Sequence, residues 1–361
     1  MIKKIGILGA GQLARMLALA AYSLGITTLC LDPKGGTSAN QVTEVITAEY
    51  TDKAQLDSFA QRVDLITYET ENIPLQTAEF LSQHHTISPS SKALMAAQDR
   101  LQEKTLFQKL HIPTTRFISI DSLDDLEKST RVLGFPCVLK TRMFGYDGKG
   151  QCVLRGSQDI DPAWQALGAQ PLLLEEFVAF EKELSLVSVR GQEATLFYSL
   201  TQNEHDEGIL RLSTAPYQDK VLQELAEAYS KEILDYLDYR GVLAIEFFCK
   251  EGRLIANEMA PRVHNSGHWT IEGAATSQFE NHIRAIAGFP LGSTQSLGYS
   301  AMFNCIGTEP NIKEILSVPD VHYHAYNKSP EKGRKLAHFT LFHKEEIAYQ
   351  KGLAHLSQLL D

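Results

Sequence analysis

The sequence predicts a mixed α/β and α+β protein in three consecutive parts: an α/β part over residues 1–99, a larger central part over 100–292 and a small β-rich part over 293–361. Three observations carry this reading. An apolar run at 5–8 leads through a glycine turn into an apolar helix and a second strand at 27–31, the βαβ opening of a parallel sheet. Two apolar runs at 242–249 and 253–259, separated by Lys250-Glu251-Gly252, read as an antiparallel hairpin. After Pro290-Leu291-Gly292-Ser293, further strand-like runs occupy 300–306 and 335–341. A chain of 361 residues has ample material for two or three cores.

Composition narrows the class. With 43% hydrophobic and 22% charged residues, the chain is of ordinary soluble globular type. Its formal net charge of -10 argues against nucleic acid or an anionic membrane as the main partner, while leaving room for local basic patches that bind small anions. The five cysteines are scattered, odd in number and without C-x-x-C spacing, which fits a reducing, cytoplasmic setting and offers no thiolate metal site. No apolar run is long enough for a signal peptide or a membrane span, so a cytoplasmic enzyme or binding protein is expected.

In the first part, the strand at 5–8 runs into Gly9-Ala10-Gly11-Gln12-Leu13-Ala14 and a helix over 15–24, and the strand at 27–31 ends on Asp32-Pro33. This is a Rossmann-like opening. Its glycine spacing, with an acid about 20 residues on, is what a dinucleotide-binding turn requires and admits a nicotinamide dehydrogenase. Any turn that cradles a phosphate on backbone amides needs the same small residues. A strand at 64–68 ends in Glu69-Thr70-Glu71, which places Glu69 and Glu71 beyond a carboxyl end of the sheet, where ligands of open α/β folds sit.

In the central part, a helix begins at Gln98-Asp99-Arg100 and runs to Leu110. A strand over 135–140 finishes on Lys140, whose ammonium must find a charge partner or water. The loop Gly145-Tyr146-Asp147-Gly148-Lys149-Gly150-Gln151 can bring backbone amides close to phosphate oxygens, with Lys149 adding charge; a plain hairpin turn would use similar residues. An apolar strand over 171–174 leads into Glu175-Glu176-Phe177-Val178, and Glu183 follows. A strand end with free backbone groups can pair with an adenine edge, and a nearby acid can take ribose hydroxyls. In the hairpin, Glu246 and Glu258 can face one another with Asn257 beside them. Such a set either holds a hard cation such as Mg²⁺ or stands as solvated strand-end acids. Metal carboxylates, cationic phosphate contacts and a glycine-rich cover are the parts that phosphoryl transfer needs. The chain lacks both the P-loop signature and the protein-kinase motifs.

Lys140, the glycine loop at 145–150, Glu175 to Val178, Glu183, Glu246 and Asn257-Glu258, in this order and spacing, resemble an ATP-grasp ligase. The glycine turn at 9–13 and the run Asn257-Glu258-Met259-Ala260-Pro261-Arg262-Val263-His264-Asn265-Ser266-Gly267-His268-Trp269 narrow the resemblance to the N5-carboxyaminoimidazole ribonucleotide synthetase family over essentially the whole chain. The resemblance implies a Rossmann-like pre-ATP-grasp domain, a two-lobed ATP-grasp domain and a small C-terminal β-rich domain. It implies carboxylation of 5-aminoimidazole ribonucleotide by bicarbonate at the expense of ATP, through carboxyphosphate, in a cytoplasmic homodimer. Carried over by position, Arg100, Lys140, Gly145, Tyr146, Asp147, Gly148, Lys149, Gly150, Gln151, Glu175, Glu176, Phe177, Val178, Glu183 and His205 would hold ATP, with Asn257 and Glu258 at its phosphates. Glu246 and Glu258 would ligate two Mg²⁺ ions.

On the substrate side, the resemblance implies that Gly11, Gln12 and Leu13 grip the ribonucleotide phosphate together with Lys328 and Arg334. Glu69, Tyr146, Asp147, Arg262, His264, Asn265 and Ser266 would line the aminoimidazole and carboxyphosphate side, with Arg262, Lys149 and Asn257 serving the chemistry. One departure stands out. Where the family has Arg-Pro-Gly-Arg-Lys, this chain has Glu331-Lys332-Gly333-Arg334-Lys335, an inverted charge inside the expected phosphate clamp. A formate-dependent glycinamide ribonucleotide transformylase is the neighbouring alternative; a nucleotide sensor would not need both metal carboxylates.

Overall fold

The computed structural model describes residues 2–35, 38–145 and 148–360. Strands β1 (Lys4–Leu8), β2 (Thr27–Asp32), β3 (Glu44–Thr47) and β4 (Leu65–Tyr68) form a parallel sheet in the order β3-β2-β1-β4. The helix Gln12–Ser23 starts three residues before the predicted position 15. Its apolar face, with Leu13, Leu17 and Ala21, shares a core with Phe279, Ile283 and Ile286 of the helix Gln278–Ala287. Each fully buried Leu or Ile there contributes about 1.5–3 kcal/mol, enough to fix the N-terminal sheet against the central part. His282 completes the joint: Nε2 meets the Thr67 hydroxyl at 2.9 Å and Nδ1 accepts the Val242 amide at 3.1 Å. The glycine turn is thereby held over the start of the hairpin.

The central part has two lobes. Strands β5 (Phe117–Ile120), β6 (Cys137–Thr141), β7 (Gln151–Leu154) and β8 (Leu172–Glu176) make an antiparallel sheet in the order β5-β8-β6-β7. Helices Leu123–Leu133 and Ile160–Leu167 cover it, burying Leu126 and Ile160 against Leu139 and Leu174. The second lobe holds β9 (Lys182–Arg190), β10 (Thr195–Phe197), β11 (Thr201–Asp206), β12 (Ile209–Ala215), β13 (Gly241–Lys250) and β14 (Arg253–Ala260).

The C-terminal strands β15 (Tyr299–Ile306), β16 (Val321–Ala325) and β17 (Lys335–His343) do not form a sheet of their own. β15 pairs antiparallel with β12, with Leu212 opposite Phe303, so a single sheet runs β14-β13-β9-β11-β12-β15-β17-β16. Pairing covers an edge of β12 that would otherwise expose unpaired backbone groups. β16 is not among the predicted strands. Val321, Tyr323 and Ala325 alternate there with His322 and His324, but the run is only five residues long and borders a basic segment, so the signal is weak. The helix Ser91–Gln98 is likewise unpredicted; the predicted one is Arg100–Lys109, capped by Asp99 through the Leu101 amide at 2.9 Å. Among the described residues no helix is long and apolar enough to cross a membrane.

Candidate active site

The predicted hairpin is the strand pair β13–β14, and Glu246 stands directly opposite Glu258. The register then slips, with Phe247 opposite Ala256, so Asn257 is the extra residue of a β-bulge. Bulges re-aim side chains, and the Asn257 Oδ1 is buried here with no protein partner. Burial, and then the charge of Glu258, push the Glu246 carboxyl up to about 7. Burial alone would raise Glu258 too, but the Arg100 guanidinium outweighs it and holds that carboxyl at about 2. Arg100 Nη1 donates to Glu258 Oε2 at 2.8 Å.

Two cavities meet at this hairpin. The smaller, of about 270 Å³, is lined by Lys140, Gly148, Gln151, Glu175 to Val178, Glu183, His205 and Asn257. The larger, of about 600 Å³, is lined by Gln12, Leu13, Glu69, Gly145, Lys149, Arg262, Lys328 and Arg334. Arg100, Glu246, Glu258, His264, Asn265 and Lys335 line both. Lys149, expected at the nucleotide, faces the larger cavity. Tyr146 and Asp147 lie outside the described residues.

Several predicted residues act through their neighbours. Glu175 is 1% exposed, and its Oε2 takes Lys140 at 3.2 Å, Lys104 at 3.3 Å and the Thr115 hydroxyl at 2.9 Å. Burial raises the Glu175 carboxyl, yet these lysines reverse that and bring it to about 2. Its Oε2 therefore sets Lys140, while its Oε1 has no partner. The Glu176 side chain turns outward to Arg116 at 2.8 Å, leaving its backbone to the cavity. His205 lies in β11 and pairs with Glu183 on the wall of the smaller cavity. Burial would lower the His205 pKa, but the Glu183 hydrogen bond and the Glu246 charge raise it. Gly150 lines neither cavity; at Gly148, φ is +73° and a Cβ would meet the Glu207 carbonyl at 2.8 Å, so only glycine suits that turn.

On the ribonucleotide side the glycine turn differs from expectation. The Glu69 carboxylate accepts the amides of Gly11 and, at 2.8 Å, Ala14, so it sits on the N-terminus of the helix Gln12–Ser23. A Cβ at Gly9 or Gly11 would lie 2.5 Å or 2.8 Å from the Glu69 side chain. The glycines thus admit Glu69, and the Gly11 amide is committed, leaving Gln12, Leu13 and side chains such as Lys328 at the cavity. A dinucleotide pyrophosphate has no place on that carboxylate, and Asp32 accepts the Ala10 and Lys34 amides at 3.2 Å and 2.8 Å. Burial raises the Glu69 carboxyl against the two amides that stabilise its charge. Lys328 Nζ donates to the Gln12 side chain.

Arg262 is held edge-on by Glu71, Nε to Oε2 at 2.5 Å and Nη2 to Oε1 at 2.9 Å, while Nη1 reaches the Val263 carbonyl at 3.1 Å. Burial works against the Glu71 charge, but Arg262 more than offsets it and keeps the pKa low. Ser266 is fully buried and lines neither of these two cavities; it positions His264, whose Nδ1 accepts the Ser266 amide at 3.3 Å and contacts its hydroxyl at 2.8 Å. The His264 proton is therefore on Nε2, which faces Glu246 Oε1 at 3.5 Å. Burial and then Arg262 lower the His264 pKa to about 3, so the ring is neutral. Asn265 exchanges amide hydrogen bonds with Asn304 at 3.1 Å and 2.8 Å. Arg334 is paired with the departing residue Glu331 and with the Ser329 hydroxyl at 2.9 Å. The Arg334–Glu331 pair is exposed and therefore weak, so Glu331→Gln is expected to change the KM for a ribonucleotide by less than about threefold.

Sequence reasoning missed three groups. Phe248 lies two residues from Glu246 on the same face of β13 and stacks on Phe180 at 4.7 Å, forming an apolar wall of the smaller cavity with Val138 and Val153. Strand periodicity through Glu246 could have found Phe248. Lys335 reaches both cavities from β17, which only the shared sheet brings near. Glu103 is 2% exposed and accepts the Met259 amide at 2.6 Å, tying the helix of Arg100 to the strand of Glu258. Burial and then Glu258 push its carboxyl up from 4.5 to about 8. Between those values the folded protein holds a proton that the unfolded chain has lost, so stability falls as pH rises through the window. Glu103→Gln is expected to flatten that slope, as read from melting temperatures across the window in metal-free protein.

The fit of a cation rests on the donors. Among the described residues no group of three or more His, Cys, Asp or Glu is arranged to hold a metal. Two facing carboxylates and the orphaned Asn257 Oδ1 are nevertheless hard oxygen donors in a buried spot, which suits Mg²⁺ completed by water and phosphate oxygens.

Two antiparallel lobes closing on a nucleotide-sized cavity, with carboxylates at its inner end, define the ATP-grasp class. Residues 105–279 match the ATP-grasp domain, residues 2–98 the ribonucleotide synthetase preATP-grasp domain and residues 300–351 the phosphoribosylaminoimidazole carboxylase C-terminal domain. The chain belongs to the N5-carboxyaminoimidazole ribonucleotide synthase family: it is 49% identical to the Pseudomonas aeruginosa member over 359 residues, covering 99% of each chain. The crystal structure of the Thermus thermophilus synthetase superposes with a TM-score of 0.94 at 49% identity, covering 98% of both chains. That of the Aspergillus clavatus synthase, in complex with ADP and 5-aminoimidazole ribonucleotide, gives a TM-score of 0.91 at 28% identity, covering 99% of this chain and 98% of that one.

Proposed function

We propose that this protein carboxylates 5-aminoimidazole ribonucleotide with bicarbonate and ATP, giving N5-carboxyaminoimidazole ribonucleotide, ADP and phosphate in purine biosynthesis. One observation carries the reading: the two cavities share a wall made of Arg100, Glu246, Glu258 and His264, so a phosphoryl group leaving one can be received in the other. ATP would lie in the smaller cavity, its base against Phe248 and its phosphates by Lys140. Glu246 and Glu258 would hold Mg²⁺, which when bound neutralises phosphate charge. A bicarbonate oxygen attacks the γ-phosphorus, the bond to ADP breaks, and carboxyphosphate forms beside Arg262. The exocyclic amine of the ribonucleotide then takes the carboxyl group, directly or as released carbon dioxide, and loses a proton as phosphate leaves. Arg262 presents its outer edge to the anion, and neutral His264 offers the Nε2 proton as a hydrogen bond without adding charge. The loop at 145–150 would exclude water, from which carboxyphosphate must be kept.

ADP release is expected to require Mg²⁺, bicarbonate and the ribonucleotide together. Release unaffected by the ribonucleotide would sink the reading, and turnover with formate replacing bicarbonate would point to a transformylase. The family resemblance also supports a cytoplasmic homodimer; a monomer mass by light scattering would count against the dimer.

A further inference from the structure

Lys104 has no part in the reaction as derived above, yet it is 0% exposed and sets its ammonium behind the Thr115 and Glu175 wall of the smaller cavity. Its Nζ meets the hydroxyls of Thr114 and Thr115, both at 3.1 Å, the Ala256 carbonyl at 3.4 Å and Glu175 Oε2 at 3.3 Å. Lys140 Nζ reaches that same oxygen at 3.2 Å, while Glu175 Oε1 is buried without a partner. Two lysines therefore divide one oxygen of one carboxylate. Nearby, Arg100 is matched by Glu258 at 2.8 Å. With Arg100 paired to Glu258, the two lysines share the single carboxylate of Glu175, and a buried cation without a counterion of its own is costly unless a ligand offsets it.

We propose that Lys104 is a positioning residue for nucleotide binding: by occupying Glu175, it keeps Lys140 from being neutralised within the protein and leaves its charge for the ligand's phosphates. The inference rests on the assignment of the smaller cavity to ATP. Without Lys104, Glu175 belongs to Lys140 alone. The pair becomes self-sufficient, and a phosphate must compete with a buried carboxylate for the ammonium.

The test is calorimetric titration of the full-length protein with ADP and Mg²⁺. Lys104→Met is expected to weaken ADP binding by about tenfold or more. In the double variant Lys104→Met/Glu175→Gln, the charge of the cluster returns to its original value and affinity is expected to recover to within about threefold. Recovery is the readout that a purely structural lysine would not give, since the two losses would then add. Wild-type affinity in Lys104→Met, or a double variant weaker than the single one, would overturn the proposal. Should Lys104→Met not fold, Lys104→Gln keeps a donor for the Ala256 carbonyl and is read in the same way. Failure of the wild-type protein to bind ADP would instead overturn the nucleotide-site assignment, and this inference with it.

Discussion

Glu258→Gln is expected to abolish ATP turnover while leaving the fold intact. The amide has the shape of the carboxylate and can still accept from Arg100, which donates at 2.8 Å, so the hairpin and the helix Arg100–Lys109 remain joined. What disappears is charge. Glu246 loses the facing carboxylate that helps hold its proton, and Arg100 loses its counterion beside the smaller cavity. Charge neutralisation at a transferring phosphoryl group is the largest contribution such a site can make, and a fall in kcat of about 10³-fold or more is anticipated. Circular dichroism should stay close to the wild-type protein, while the melting temperature falls because Arg100 has lost its counterion. Near-normal turnover under saturating Mg²⁺ would remove the metal role assigned to Glu258.

A second large effect is expected at Arg262. Replacing it by Met strands Glu71, a carboxylate that now receives two guanidinium hydrogen bonds and has little water. Removing one partner of a buried pair costs about 3–5 kcal/mol, so urea unfolding should shift markedly and carboxylation should be lost. Adding Glu71→Gln should restore much of the stability, because the stranded charge is gone, and none of the activity. If the double variant carboxylates the ribonucleotide normally, Arg262 is only a structural cation.

Much of this arrangement is legible in the sequence where local pattern and spacing suffice. The hairpin and the confrontation of Glu246 with Glu258 follow from two apolar runs and a short turn, and the structure adds only the register slip at Asn257. The strand ending on Lys140 announces a cation in need of a partner. What spacing does not reveal is the identity of that partner: Glu175 approaches from β8, and Lys104 from a helix whose amphipathic pattern says nothing of buried charge. The glycine turn shows the limit most clearly. Gly9 and Gly11 announce a close approach, but a phosphate and the Glu69 side chain ask for the same small residues. The joining of β15 to β12 is similarly silent, since strand pairing across some ninety positions leaves no local trace.

The seat of Glu69 bears on inhibition by the reaction's own product. A helix N-terminus with bare amides attracts inorganic phosphate and sulfate as readily as it attracts a phosphorylated metabolite. An enzyme that releases phosphate at every turnover, and works where free phosphate is abundant, would be impeded by such a trap. With a carboxylate of the chain already on the Gly11 and Ala14 amides, discrimination passes to side chains such as Gln12, Lys328 and Arg334, whose placement can favour a phosphate tethered to a ribose over one that is free.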